Sequence, residues 1–243
     1  RMVNPQMPER WTISLGESAE KLAGIYEISR EDQDRFALRS HTLAARAYEE
    51  GALAEVVPVP GVELERDEGI RPDTSIAKLT KLKPAFVEGG TVTAGNSSPL
   101  TDGAAMLLLG SEAAGAAIGA EPLARFVSRG VHGVDPDVFG IAPVEAVNKA
   151  LAKAGIGWED VAVWELNEAF ASQSLACLAG WPELDPAKVN VRGGAIAIGH
   201  PLGASGARVL GRVAHELRAR GGGYGVATLC IGVGQGLAMV LEA

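Results

Sequence analysis

From position 123 onward, short apolar runs rich in β-branched residues alternate with stretches of helical period, and that alternation restricts the chain to a layered α/β architecture. Residues 123–127 (Leu-Ala-Arg-Phe-Val) read as a strand. Residues 143–154 read as a helix, with Val144, Val147 and Leu151 on one face and Gly155 as its stop. The apolar run 161–166 is a second strand, and 169–178 the helix that follows it. A helix over 204–220 precedes Gly221-Gly-Gly223, and strands at 224–229 and 237–241 flank the turn Gly232-Val-Gly-Gln-Gly236. Such a series gives a mixed sheet with a terminal hairpin and no short-period repeat. Just upstream, the apolar run 104–109 is expected to begin a helix.

The first hundred residues are less regular. Residues 29–51 predict an amphipathic helix, with Ser29 as N-cap, Glu31 and Asp32 in the first turn, and Gly51 as its end. Residues 55–60 (Glu-Val-Val-Pro-Val-Pro) resemble an edge strand, and 63–80 is polar without period. Residues 1–98 are therefore expected to form a loop-rich, partly helical module. Residues 1–10 have no signal-peptide apolar stretch and no initiator methionine, so the start reads as a cut end.

Composition narrows the function. A formal net charge of −8 without a basic run argues against nucleic acid or an anionic membrane as partner. Two cysteines, Cys177 and Cys230, make no disulfide framework and fit a reducing, cytoplasmic setting. No apolar run approaches the ~20 residues that cross a bilayer.

Three segments bear chemistry, each where a strand passes into a loop or helix. In Asn167-Glu-Ala-Phe-Ala171, Asn167 either donates through its amide at a strand end or simply caps the next helix. Gly193-Gly-Ala-Ile-Ala-Ile-Gly-His-Pro-Leu-Gly-Ala-Ser-Gly-Ala-Arg208 sets His200 among glycines ahead of a helix N-terminus, as suits a general base beside an anionic ligand. It lacks the Gly-Lys-Ser/Thr of a nucleotide-binding loop. In Cys230-Ile-Gly-Val-Gly-Gln-Gly236, a thiol leaves a strand into a glycine turn whose N–H groups can form an oxyanion hole; the plainer reading is a packed core cysteine. His41, His215 and Cys177 read as packing or surface groups, His132 matches no motif, and Glu168 reads as an orienting residue.

Together these motifs, in this order, resemble the thiolases. Further matches are Ile28-Ser-Arg-Glu-Asp-Gln-Asp34 with Ala37-Leu-Arg-Ser-His41, and Thr91-Val-Thr-Ala-Gly-Asn-Ser-Ser98 with Asp102-Gly-Ala104. The resemblance implies an α/β thiolase-like layered fold, with a C-terminal βαβαβ-type half on a mixed sheet, preceded by a loop-rich α+β module, and with the N-terminal half incomplete. It divides the chain into a loop domain for CoA binding and oligomerisation (1–98), the tail of the N-terminal half (99–120) and the C-terminal half (121–243).

The implied activity is acyl transfer by Claisen condensation, or its reverse, on 3-ketoacyl-CoA. By the same resemblance His200 activates an acylated cysteine, Cys230 exchanges a proton with the α-carbon, and Asn167 holds a water at the enolate oxygen. Gly232 supplies an oxyanion N–H. Arg71 falls on the adenine side of CoA, Ala94 and Ser98 beside the pantetheine arm, and Ala169 and Phe170 at the thioester end. Phe139, where many members have methionine, and Pro99, where biosynthetic members have glycine, depart from the pattern and leave acyl-chain length and direction open. Acetoacetyl-CoA, longer 3-ketoacyl-CoA and 3-oxoadipyl-CoA all remain candidate substrates.

The resemblance further implies no resident cofactor, no metal, CoA and acyl-CoA as ligands, and a homodimer or homotetramer for the complete protein. Neither cysteine has the context of the acylated one, so the chain alone is expected not to turn over. The alternative is a non-catalytic CoA-binding or subunit-interaction fragment. Ketoacyl synthases and 3-hydroxy-3-methylglutaryl-CoA synthase fit less well, because neither explains the Gly-His-Pro-Leu-Gly-Ala-Ser-Gly run together with Cys230.

Overall fold

The computed structural model describes residues 6–64 and 66–243, so the first half of the stretch read as a cut end lies outside the described residues. Helix α1 spans Leu15–Ile25 and starts at a capping box: Ser14 Oγ accepts from Glu17 N, while the Glu17 carboxylate accepts from Ser14 N at 2.5 Å. Sequence reading passed over this helix, although Ser-x-x-Glu was its signal. Helix α2, Arg30–Glu49, is capped by Ser29 as expected. A single turn, α3 (Ile76–Leu79), interrupts the polar stretch. Residues 55–60 form no strand: Pro58 and Pro60 lack N–H donors, and among the described residues no strand pairs with them.

The 104–109 run is not a helix either. It is irregular and largely exposed, and helix α4 begins only at Glu112 (Glu112–Ile118), where Ser111 Oγ caps Ala114 N. The apolar run has no cap of its own and little surface to bury against, so the cost of nucleating a helical turn is not offset.

Beyond this point lie β1 (Arg125–Gly133), α5 (Pro143–Ala154), β2 (Val161–Leu166), α6 (Ala171–Ala179), α7 (Ala195–Ile198), α8 (Ser205–Arg220), β3 (Tyr224–Ile231) and β4 (Gln235–Glu242). The strand expected at 123–127 starts two residues later and continues to Gly133. As an edge strand it keeps Arg129, Val131 and Gly133 exposed, and that polar edge hid its second half.

The sheet order is β1-β4-β3-β2, with β2 parallel to β3 and the other pairs antiparallel. Period-2 alternation sorts the strand side chains into two layers. Trp164, Val226 and Val240 pack with Val147, Leu151, Cys177 and Trp181 on the side of α5 and α6. Val163, Ala227 and Leu241 pack with Val209, Val213 and Leu217 of α8 on the other. Both faces of the inner strands are covered, which explains why their sequences read as continuous apolar runs.

Candidate active site

Strands β2 and β3 run parallel, so their C-terminal ends meet at one edge, and Asn167 N donates to Thr228 O there at 3.0 Å. Asn167 does not cap α6. That helix begins after Phe170, and the Asn167 side chain, 1% exposed, turns toward His200 and Arg208. Glu168 turns away into the interior. Its carboxylate accepts from Ser40 Oγ (2.6 Å), Asn190 Nδ2 (2.8 Å) and Ile196 N (3.2 Å), joining α2 to α7 and the 190 loop as an orienting group. Burial raises its pKa despite those donors.

The 91–98 loop is sewn to residues 169–171. Ala171 N donates to Asn96 O at 2.9 Å, and Ser98 N and Oγ both donate to Ala169 O at 3.0 Å. Of the residues expected around CoA, Ser98, Ala169 and Phe170 therefore come together, and the latter two cluster with Cys230, Phe139 and Val92. Ala94 lies exposed on the same loop. Arg71 is exposed on a separate loop, where its backbone N–H donates to His41 Nδ1 at 3.3 Å; buried His41 thus anchors that loop. That contact does not join Arg71 to the Cys230 cluster.

His200 is defined at both ring nitrogens. Ser205 Oγ donates its single proton to Pro201 O (2.9 Å), so at 2.6 Å it accepts from His200 Nδ1–H. That leaves Nε2 unprotonated, 3.3 Å from Asn167 Nδ2. Arg208 fixes the opposite end of the amide: its Nη2 donates to Asn167 Oδ1 at 3.3 Å, while Nη1 donates to Gly199 O at 2.7 Å. Burial, then the Arg208 charge, lowers the His200 pKa to about 4, so the ring is neutral near pH 7, with its Nε2 lone pair facing the Asn167 amide nitrogen. Gly199, at φ +89°, closes against Thr101, where a side chain would collide with the threonine.

Cys230 is the penultimate residue of β3, 4% exposed, and burial pushes its thiol up to about 12. The hairpin turn beyond it spends its glycines differently. Gly234 lies at φ +90° with Val134 N donating to its carbonyl at 2.7 Å, and Gly236 presses on the Ala142–Pro143 backbone. Gly232 has neither a positive φ nor any neighbour within 4 Å of a built Cβ. Cys177 is core: fully buried, it donates to Gly140 O at 3.2 Å.

Arg208 and Ser205 were quoted in a motif but given no part in the sequence reading. Their three-residue spacing on the first turn of α8 was the available signal. Glu165, buried two residues before Asn167 and pushed up to about 8 by burial, was not singled out at all. Among the described residues no three His, Cys, Asp or Glu side chains converge as a metal site, and no helix is long and apolar enough to cross a membrane.

Comparison with known proteins agrees with this architecture. The family described as "Thiolase, C-terminal domain" matches residues 120–243, and "Thiolase, N-terminal domain" matches residues 7–113. The 3-oxoadipyl-CoA/3-oxo-5,6-dehydrosuberyl-CoA thiolase of Escherichia coli (strain K12) is 49% identical over all of this chain and 63% of its own length. A 3-ketoacyl-CoA thiolase of Bacillus subtilis (strain 168) is 46% identical over 95% of the chain and 63% of itself. Among solved structures, the Bacillus anthracis acetyl-CoA acetyltransferase superimposes with a TM-score of 0.90 at 47% identity, covering 95% of this chain and 60% of that one. The human mitochondrial 3-ketoacyl-CoA thiolase in complex with CoA gives 0.90 at 41%, covering 98% and 60%. The chain thus spans about 60% of the length of these relatives. By family match, identity and fold, it belongs to the thiolase family of acyltransferases.

Proposed function

We propose that this chain supplies the His/Cys/Asn part of a thiolase site acting on 3-ketoacyl-CoA, and that the acylated cysteine comes from outside these 243 residues. The observation that carries the reading is the state of His200: a neutral ring, Nδ1–H on Ser205, and an unprotonated Nε2 facing the Asn167 amide, which must yield that nitrogen to a substrate-side proton. A histidine so held can take a proton from a thiol, activating it as a nucleophile.

In thiolysis the acylating thiolate attacks the 3-keto carbon, and the bond to the α-carbon breaks. His200 Nε2–H and a water on Asn167 then stabilise the enolate oxygen. Cys230, whose thiol burial keeps protonated at rest, delivers a proton to the α-carbon and regains one from the thiol of incoming CoA, whose thiolate takes the acyl group from the cysteine. The Gly232 N–H serves the tetrahedral intermediate; the open space around this glycine leaves room for the thioester. Ser98, Ala169 and Phe170 flank the pantetheine end of CoA, with Ala94 on the loop edge. Arg71 serves the adenine end.

Residues 1–98 act as the loop domain for CoA binding and oligomerisation, 99–120 as the tail of the N-terminal half, and 121–243 as the C-terminal half. The complete protein is read as a cytoplasmic homodimer or homotetramer with no resident cofactor. The relatives named for 3-oxoadipyl-CoA, 3-ketoacyl-CoA and acetyl-CoA chemistry support all three as substrate classes to assay.

The test is reconstitution. The chain is joined to the N-terminal segment of one of those relatives, and thiolysis of acetoacetyl-CoA, a longer 3-ketoacyl-CoA and 3-oxoadipyl-CoA is followed. Turnover by the joined protein and none by the chain alone is expected. CoA binding without turnover in the joined protein would favour a binding or subunit-interaction role.

A further inference from the structure

Partly buried arginines in this molecule mostly meet carboxylates. Arg30 pairs with Asp34, Arg192 with Glu216, and Arg212 with Glu55. Arg39 and Arg208 are the exceptions; Arg39 donates to Ala187 O and Val189 O, away from the site, whereas Arg208 faces Asn167. Among the described residues the Arg208 guanidinium forms no ion pair and donates only to two neutral oxygens, Gly199 O and Asn167 Oδ1. Glu165, on β2 two residues before Asn167, reaches the same interior. Burial favours its protonated form, no hydrogen bond or ion pair joins it to Arg208, and its Oε1 has no partner. An unpaired buried cation is costly to keep, and this one is aimed at the site.

The consequence follows from donor and acceptor counts. An asparagine amide can present oxygen or nitrogen to the imidazole, and the two orientations demand opposite states of Nε2. Facing oxygen would favour a protonated Nε2; facing nitrogen requires a bare one. Arginine has donors only, so the carboxamide oxygen must lie on its side and the NH2 on the side of His200. Gly199, the other acceptor, precedes His200 directly. A single guanidinium therefore ties the imidazole's backbone to the amide that faces it, while Ser205, one turn earlier on α8, holds the far nitrogen.

We propose that Arg208 is a positioning residue: its fork fixes the Asn167 amide orientation and, through it, the Nδ1–H tautomer of His200. The catalytic meaning of this assignment rests on the reading of Asn167 and His200 as reacting groups, but the positioning itself does not. Groups acting on the pair are Arg208 and Ser205 from α8 and Asn167 from the end of β2, with Glu165, Arg212, Asp67 and Glu168 acting on Arg208 in turn.

The test uses the 243-residue chain, whose four histidines permit assignment of imidazole nitrogen resonances with His200→Gln as the reference. In the unmutated chain at pH 7, His200 Nε2 is expected at the position of an unprotonated nitrogen. Arg208→Lys keeps the charge but loses the fork; Arg208→Gln loses both. Both variants should reduce the ratio of Nδ1–H to Nε2–H tautomer at least fivefold, while only Arg208→Gln should raise the His200 titration midpoint. A ratio changed less than twofold in both variants overturns the proposal.

Should the variants not fold, the unmutated chain still decides. Its Arg208 guanidinium signals should show rotation slowed relative to exposed Arg35, and Asn167→Ala should release it. Free rotation in the unmutated chain overturns the proposal. A chain that passes these tests yet gives no thiolysis after reconstitution would sink the functional reading and leave the positioning intact.

Discussion

At the scale of single residues, two buried titratable groups bend the stability profile in opposite directions. His200, with its pKa lowered to about 4, stays neutral in the folded chain while the unfolded chain takes up a proton near 6.5. The unfolded state therefore binds more protons between those values, and stability rises with pH across that window. Glu165 does the reverse. The folded chain keeps its proton up to about 8 while the unfolded one loses it near 4.5, so stability falls as pH rises between them. Glu165→Gln should then be more stable than the unmutated chain at pH 8 by roughly 2–4 kcal/mol, and nearly equal to it at pH 4.5. Urea unfolding at the two pH values checks this; an equal gap at both would show that Glu165 is ionised in the folded chain. His200 and Asn167 were legible because a long motif announced them. Arg208 and Glu165 were not singled out, since nothing in an arginine's or glutamate's identity says whether it meets an opposite charge or a neutral amide.

Among the secondary-structure elements, glycines separate packing from function. Gly130 on β1 faces α5 so closely that a methyl there would overlap Ala146 and lie 2.8 Å from Ala150 N, backbone atoms that cannot swing aside. Gly130→Ala should cost roughly 2–4 kcal/mol. Gly232→Ala meets nothing and demands no positive φ, so its unfolding midpoint should stay within about 1 kcal/mol of the unmutated chain. Denaturant titration of both variants tests the contrast, and comparable losses would contradict it. Elements with both a cap and a buried stripe were readable from the sequence: α2 from Ser29, α5 from its Gly155 stop, and β2 and β3 from their continuous apolar runs. Those that depend on what lies alongside were not. The 104–109 run looked helical by composition but has little to bury against, and β1 extends past its apolar start because β4 offers it a partner along its whole length.

At the scale of the whole molecule, the proposed site is a junction. Asn167, His200 and Cys230 hang from the sheet and from α8, while the loops that flank them come from the first hundred residues, tied in through Ser40–Glu168, Ser98–Ala169 and the Arg212–Glu55 pair. The relatives are longer than this chain, which spans about 60% of them. Nothing in periodicity or composition could report how residues 91–98 meet residues 169–171, because that pairing joins segments far apart in sequence. The central claim is that His200 is the proton-handling base of a thiolase site, and its most direct test is kinetic. In the chain joined to a thiolase N-terminal segment, His200→Ala should lower kcat for acetoacetyl-CoA thiolysis by about 100-fold or more, with KM for CoA changed far less. Thiolysis retained at the unmutated rate would contradict the account.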